Sequence, residues 1–471
     1  MPPTDAKDAT PELRRAMGFG DVVLYLITTG INLQWVATAA AAGPSSIAIW
    51  VLAFLVMAVP LSLSVVELSS RYPQEGGMYV WSKHAFGDFA AFMTGWTYWM
   101  SNLPYFPGVL YFAAGNALYI AGDRLRALSG SSAYFIIAAL LGLGLGLVPN
   151  FYGLQFGKWL SNIGAVARWL AMAALLIIGG LAWFRFGPAT GFTLSTMTPG
   201  LDIRSLIFWS TIAFALTGAE SASLMGGEIK DARRSIPRAI FTAVPIVTLT
   251  YILGTASVLV ALPTDQVRGL QGPIEAVDAA ARRLGLPGFT SIAALLFTVS
   301  ALGSVGAWLA GVTRLPFVAG IDRYLPRSFG RLHPRWRTPH VSLITLGVAL
   351  VVCIVLGQAG TSVKGAYDVL VSMTVITTLI PFLLVFASLV KLQREPAGPG
   401  VIRVPGGRPV AVLVGAIGFA TTAASIVLSF FPAPDEPHKA LAVAKIAGLT
   451  LLSTGSGMAV YAWGRWRQRR G

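Results

Sequence analysis

The sequence predicts an all-α membrane protein with 12 transmembrane helices, and three observations carry that prediction. Hydrophobic residues make up 55% of the 471 and charged residues only 12%, about half the charged share of a soluble domain. Apolar stretches long enough to cross a bilayer recur from one end of the chain to the other. Lys and Arg crowd into alternate connecting segments.

A spanning helix needs roughly 20 mostly apolar residues. The stretches that qualify fall near 20–42, 47–69, 87–120, 131–149, 157–184 and 203–228, then 237–262, 288–320, 340–357, 366–390, 408–431 and 440–463. The segment ahead of the first (1–19) is polar and lacks the apolar core of a signal peptide, so it reads as a cytoplasmic tail. With that tail inside, 23 Lys and Arg fall in cytoplasmic segments and 9 outside, while Arg168, Arg314 and Lys445 lie within spans. This asymmetry places both termini in the cytoplasm. The net charge of +15 is therefore a matter of topology and contact with anionic lipid, not of nucleic acid. Its densest clusters, 230–238, 322–337 and 465–470, all lie on the inner side.

The single Cys353 sits inside the ninth span and cannot form an intramolecular disulfide. His84, His333, His340 and His438 fall in loops or at span ends, with no HExxH pattern and no Cys/His cluster. No metal or other cofactor is expected. A glycine–lysine phosphate loop is also missing from the sequence, which argues against ATP hydrolysis by this chain. An intramembrane enzyme would need paired catalytic groups in spans, and only Glu220 and Arg168 stand out. The expected partners are a small-molecule substrate and the lipid bilayer.

The third and eighth segments are the long ones, five spans apart, which makes them counterparts in two five-helix halves. The first and sixth are then counterparts too. They share a short pattern, ITTGIN at 27–32 and ALTGAE at 215–220, with Thr-Gly inside an apolar helix and Asn32 or Glu220 two residues on. An odd number of helices per half inverts the second half. Transporters built this way bind at the midplane, where paired broken helices expose backbone groups. Glycine tolerates the torsions of such breaks.

Three further stretches carry a resemblance: VELSSRYPQEGGMYVWSKHAFG (66–87), FALTGAESASLMGGEIKDARRSIPRAI (214–240) and SALGSVGAWLAGVTRLPFVAGIDRYLP (300–326). Through them, residues 18–390 resemble the amino acid–polyamine–organocation (APC) superfamily, including the arginine/agmatine and glutamate/GABA antiporters. The resemblance implies the LeuT fold, a 5+5 inverted repeat over 20–393 with helices 1 and 6 broken. The last two spans (394–464) would lie outside that core, where family members often make packing or dimer contacts, so that a homodimer is one partner the resemblance allows; a basic tail follows at 465–471.

The resemblance also implies site residues. The family's Gly-Ser-Gly-aliphatic break matches Thr28, Thr29, Gly30 and Ile31, where freed N–H groups would meet a carboxylate. Thr28 in place of the first glycine and Thr29 in place of the serine is a departure that questions a standard α-amino acid pose. At the other break, near Thr217 and Gly218, carbonyls from Phe214 to Thr217 would accept from an ammonium. Phe214 matches an aromatic lid and Trp308 an aromatic that stacks on the substrate. Glu220 matches the acid of a cytoplasm-facing gate. An acid costs at least about 2.5–3.5 kcal/mol at the membrane centre, so its presence is a functional pointer. Tyr98 matches one gate tyrosine; the other falls on Phe382, which has no hydroxyl, so Glu220 is expected to bond Tyr98 or Thr374. Arg168 stands where sodium-independent relatives have Lys. It reads as a permanent sodium surrogate, because Arg effectively keeps its proton.

Asn32, Gln34, Asn102, Ser304, Ser372 and Thr374 are polar candidates for reading a substrate. Pro104 and Pro107 distort the third span, and Phe106 is expected to face the site. Glu67 and Glu75 are expected to be structural, pairing with Arg71 or the 230–238 cluster. The reading is a sodium-independent secondary transporter for an amino acid or related amine. A polyamine or organocation carrier and a non-transporting sensor are its rivals.

Overall fold

The computed structural model describes residues 17–73, 76–152, 154–224, 226, 229–313, 324–330, 333–336, 338–433 and 436–470. Glu75 and Arg314 lie outside them. Regular structure among the described residues is helical, apart from one isolated bridge between Met17 and Ile229. The chain opens with a bent pair, α1 (Phe19–Gly30) and α2 (Leu33–Ala40), whose axes meet at 45°. Ile31 and Asn32 between them are extended rather than helical, so backbone groups on both sides leave the helical ladder.

α3 (Ser45–Arg71) returns across the bundle through one wide π-turn at Phe54–Ala58. That turn immediately precedes Pro60, which has no N–H to give to the turn before it. The short α4 (Met78–Phe86) follows. The expected long third span then comes in two pieces, α5 (Asp88–Met100) and α6 (Asn102–Ala117). Pro104 cannot bond to Met100 and Pro107 cannot bond to Leu103, so the helix is interrupted at Ser101, one turn ahead of the first proline.

α7 (Ser132–Tyr152) and α8 (Leu154–Phe186) are long and apolar. The sixth segment is again in pieces, α9 (Ile203–Ala215) and a single turn, α10 (Ser221–Leu224). Between them Gly218 has φ +121°, a backbone conformation that L side chains rarely adopt. α11 (Ala232–Ala261), the surface helix α12 (Gly272–Arg283), α13 (Pro287–Val312), α14 (His340–Gln358), α15 (Val363–Leu392), α16 (Gly407–Leu428) and α17 (Lys439–Arg470) complete the chain.

Among the described residues nine helices are long and apolar enough to cross a membrane, and the bent α1–α2 pair makes a tenth. The third and sixth segments, expected as spans from the sequence, are interrupted and are not among these ten. Outward faces of the long helices stay apolar: Leu141, Val348, Leu451 and Phe184 are all more than half exposed. Such exposed apolar faces suit a lipid surround, where apolar side chains stay out of contact with water. The buried centre is aromatic, with Trp50, Tyr111, Tyr251, Phe106, Phe297 and Phe382 wholly enclosed.

The tightest helix crossing joins α8 to α13. A β-carbon on Gly164 would sit 2.4 Å from the α-carbon of Gly303, and one on Gly306 would sit 2.7 Å from Leu160. Leu160, Gly164 and Arg168 are four residues apart, so they share one face of α8. Small residues in membrane helices allow this approach, which van der Waals contact then rewards. The crossing brings Arg168 onto α13.

Glu67 pairs as one of the two expectations had it. Its Oε1 accepts from Arg71 at 3.1 Å and from the Gln393 amide at 2.6 Å, and its Oε2 accepts from the Val404 N–H at 2.8 Å. The basic cluster is instead engaged elsewhere: Arg233 donates to the Pro399 carbonyl at 3.1 Å, and the Lys230 N–H to the Met17 carbonyl at 2.8 Å. The buried acid thus ties α3 to the strand of chain that leads from α15 to α16.

Gly303→Ala puts a methyl where the α8 backbone lies. Overpacking of this kind costs typically 1–3 kcal/mol. The expected result is a melting temperature in detergent several degrees below that of the unaltered protein. An unchanged melt would show that the crossing has slack.

Candidate functional site

Two helix breaks face one another across the bundle, and what surrounds them follows from unsatisfied backbone. At the first break, the hydroxyl of Tyr251 on α11 donates to the Gly30 carbonyl at 2.6 Å and accepts from the Asn32 N–H at 3.0 Å. A single side chain thus splices the gap between α1 and α2. Its ring is clamped by Trp50, stacked at 4.7 Å between centroids with 5° between planes, and the Trp50 indole donates to Thr255 at 3.0 Å. The Asn32 side chain then caps α2 through the Gln34 N–H and donates to the Tyr105 hydroxyl at 3.1 Å.

The Thr28 carbonyl, another group freed by the break, accepts from the Arg168 guanidinium. The same guanidinium donates to the Ser304 hydroxyl on α13. Arg168 therefore bridges the first broken helix and α13, half-buried beneath the α8–α13 crossing. Thr29 does not offer its hydroxyl outward; it donates back to the Tyr25 carbonyl at 2.8 Å.

At the second break Glu220 turns back on its own chain. Its Oε2 accepts from the Gly218 N–H at 2.8 Å and its Oε1 from the Tyr98 hydroxyl at 3.3 Å. The carboxylate is thereby held in a buried place, with only 2% of the residue exposed. Such an acid needs this kind of hydrogen bonding to be tolerated at all. The Phe214 carbonyl is already taken, accepting from both the N–H and the hydroxyl of Thr217 at 2.9 and 2.8 Å. Phe214 therefore does not present the free carbonyl expected at this break.

Between the breaks lies a chamber of about 100 Å³. Thr29, Gly30, Phe214, Thr217, Gly218, Glu220, Tyr98 and Trp308 all line it, together with the polar candidates Asn32 and Asn102. The Trp308 indole donates to the Asn102 side chain at 2.7 Å, which fixes the ring at the chamber wall. Thr28, Ile31 and Arg168 line an adjoining space of about 70 Å³, with Ser304 and the other side of Trp308.

Several sequence expectations are corrected. Phe106 does not face the chamber; it is fully enclosed and its neighbour Tyr105 lines both spaces. One residue along a helix is a turn of about 100°, enough to exchange the two faces. Thr374 is buried with its hydroxyl donating to the Leu370 carbonyl at 2.7 Å, and Thr378, one turn on, reaches the chamber instead. Glu220 accordingly bonds Tyr98 and not Thr374. Phe382 is also wholly enclosed and stands apart from the chamber lining. Gln34 and Ser372 are absent from the lining of either space.

Tyr251, Tyr105 and Trp35 were not anticipated. Trp35 meets Phe214 edge-on at 5.0 Å, so the two breaks also touch through aromatic rings. The available signal was a phenol in the middle of a span: Tyr251 lies far from the membrane interfaces where tyrosine is common, and its hydroxyl needs a buried partner.

A bundle with two interrupted helices facing each other over a chamber of mixed polar and aromatic lining is the architecture of a membrane transporter. Residues 16–451 match the amino acid permease family, and the chain belongs to that family. An uncharacterized transporter of Legionella pneumophila is 27% identical over 90% of this chain and 92% of its own length. One from Mycobacterium tuberculosis is 26% identical over 91% and 90%. A probable agmatine/putrescine antiporter of Lactococcus lactis, AguD, is 23% identical over 87% of each. Among solved structures, MhsT in complex with L-phenylalanine superposes with a TM-score of 0.59 at 13% identity, covering 88% of this chain and 98% of MhsT. That likeness establishes a shared LeuT-type fold. The resemblance to the APC superfamily read from residues 18–390 is thereby confirmed.

Tyr251→Phe keeps the ring stack on Trp50 but leaves the Gly30 carbonyl and Asn32 N–H without their shared partner. An unsatisfied buried group costs about 1–3 kcal/mol. The melting temperature is expected to fall by several degrees. A phenylalanine variant as stable as the parent would mean that the break is satisfied in another way.

Proposed function

We propose that this protein is a secondary active transporter that moves an amino acid or related amine by alternating access, without sodium. The observation that carries the proposal is the chamber lined by both helix breaks at once. A substrate there can be gripped by one half of the bundle and released by its movement against the other, as in transporters built from inverted repeats. We read the bundle as 12 spans, counting the α5–α6 pair and the interrupted α9–α10 segment as one each. Its basic loops and both termini are assigned to the cytoplasmic side of the cell's inner membrane.

In this reading the substrate's cationic end meets the carbonyls that follow Phe214 and its apolar part lies against Trp308 and Phe214. An aromatic face contributes roughly 1–2 kcal/mol to holding a desolvated cation. Glu220 and Tyr98 form the inner seal, and Glu220 is the group placed to exchange a proton. Arg168 supports independence from sodium. Its N–H groups already hold the Thr28 carbonyl and the Ser304 hydroxyl, oxygens that a bound cation would have to share, and a second cation beside it would be repelled.

A carrier of polyamines or other organocations is the second reading. Thr29 favours it, because its hydroxyl is turned into its own helix and adds no donor for a carboxylate. AguD's description as a probable agmatine/putrescine antiporter is consistent with it.

Counterflow in proteoliposomes tests the proposal. Vesicles loaded with unlabelled amino acids and amines are offered labelled candidates one at a time. One labelled compound should accumulate at equal rates in sodium and potassium buffers, and Trp308→Ala should reduce that rate at least tenfold. Accumulation of polyamines alone would select the second reading, and silence from every compound would refute transport.

Arg168→Ala is expected to lower the rate more than tenfold, with Arg168→Lys keeping a measurable part. Recovery of Arg168→Ala by added sodium would identify the guanidinium as the stand-in for the ion. If Arg168→Ala transports normally in both salts, that role is wrong. Glu220→Gln should remove the response of uptake to a pH gradient while exchange continues; an intact response would assign proton movement elsewhere.

A further inference from the structure

A second recess, away from the central chamber, lies on the flank of the bundle where the end of α15 runs beside the start of α16. It has a volume of about 640 Å³. Its walls are apolar, built from side chains such as Phe86, Val390, Val412 and Phe419, and its floor is set by helices in near contact. A β-carbon on Gly415 would lie 2.5 Å from the Val390 side chain. At one end three cations line the recess: Lys391 and Arg394 close to the end of α15, and Arg408 in the first turn of α16.

No acid lines the recess among the described residues. Glu395, next in the chain to Arg394, is directed elsewhere and accepts from the Tyr72 hydroxyl at 2.7 Å. Lys391 lies over the Phe86 ring at 4.7 Å, which keeps its charge at the rim. Arg408 sits at a helix N-terminus, where the helix dipole disfavours a cation and favours an anion. The first-turn N–H groups of α16 add to the same preference.

We propose that this groove is a binding site for an anionic phospholipid, with the headgroup phosphate among Lys391, Arg394 and Arg408 and an acyl chain along the apolar walls. The occupant follows from the pairing of a long apolar trough with a cluster of cations at its polar end, on the flank of a membrane bundle. A soluble anion would use the cations and leave the trough empty. Assigning the lipid to the inner leaflet rests on the orientation proposed above; the binding itself does not.

The test is native mass spectrometry of the full chain in an uncharged detergent, titrated with phosphatidylglycerol and, separately, phosphatidylcholine of the same acyl chains. The first phosphatidylglycerol should bind at least tenfold more tightly than the first phosphatidylcholine, in keeping with a substantial gain for each basic residue near an anionic surface. Lys391→Gln/Arg394→Gln/Arg408→Gln should bring that ratio close to one. Ala416→Trp, which fills the trough and keeps the cations, should also lower phosphatidylglycerol affinity severalfold. Arg469→Gln/Arg470→Gln should leave the preference intact. Selectivity that survives the triple substitution overturns the site. So does selectivity lost equally in the Arg469/Arg470 variant, which would mean diffuse surface charge. A dimer that Ala416→Trp dissociates, with no lipid preference, would make the groove a contact between copies. Because detergent carries no sidedness, failure here counts against the site and not against the proposed orientation.

Discussion

Backbone groups released by two helix breaks in a medium without water are the constraint on which the rest of this structure depends. In lipid each such group must find a partner within the protein. Tyr251 serves Gly30 and Asn32, Arg168 serves Thr28, and Glu220 serves Gly218. Three side chains from three different places in the chain are thereby committed to holding two short gaps. The breaks are consequently well-determined pieces of architecture, and the chamber between them inherits its shape from the groups that repair them.

The glycine crossing of α8 and α13 shows how distant packing enters the site. Gly164 and Gly303 bring two backbones together, and four residues further along α8 the guanidinium of Arg168 arrives at Ser304. A larger residue at either glycine would move Arg168 away from the Thr28 carbonyl. The functional side chain and the packing residue thus form one unit, spaced by a helical turn. The same logic applies where Glu67 joins α3 to the chain entering α16.

Much of this was legible in the sequence. Apolar length and the skew of Lys and Arg gave the helical membrane class, and the paired Thr-Gly patterns marked both breaks. Glu220 stood out because an acid in a span requires an explanation, and Tyr98 and Trp308 because they match positions of the resembled family. What stayed hidden depended on helix phase. Phe106 and Tyr105 differ by one position, as Thr374 and Thr378 differ by one turn, and hydropathy does not distinguish them. Tyr251 is marked in the sequence only as a mid-span phenol; its role is defined by Gly30 and Asn32, more than 200 residues away. The interrupted third span was foreshadowed by Pro104 and Pro107, but the position of the break at Ser101 depends on which carbonyls the prolines leave unbonded.

The orientation of Trp308 has a consequence for what can enter the chamber. Its indole donates inward to Asn102, whose amide in turn donates to the carbonyls of Tyr98 and Trp99. Thr29, Tyr98, Ser101 and Thr217 also direct their hydroxyl protons into the protein. These five side chains thus turn ring faces and oxygen lone pairs, rather than protons, toward a guest. A molecule that brings its own N–H groups suits such a lining, whereas one that needs protons from its host must displace a bond the protein already makes.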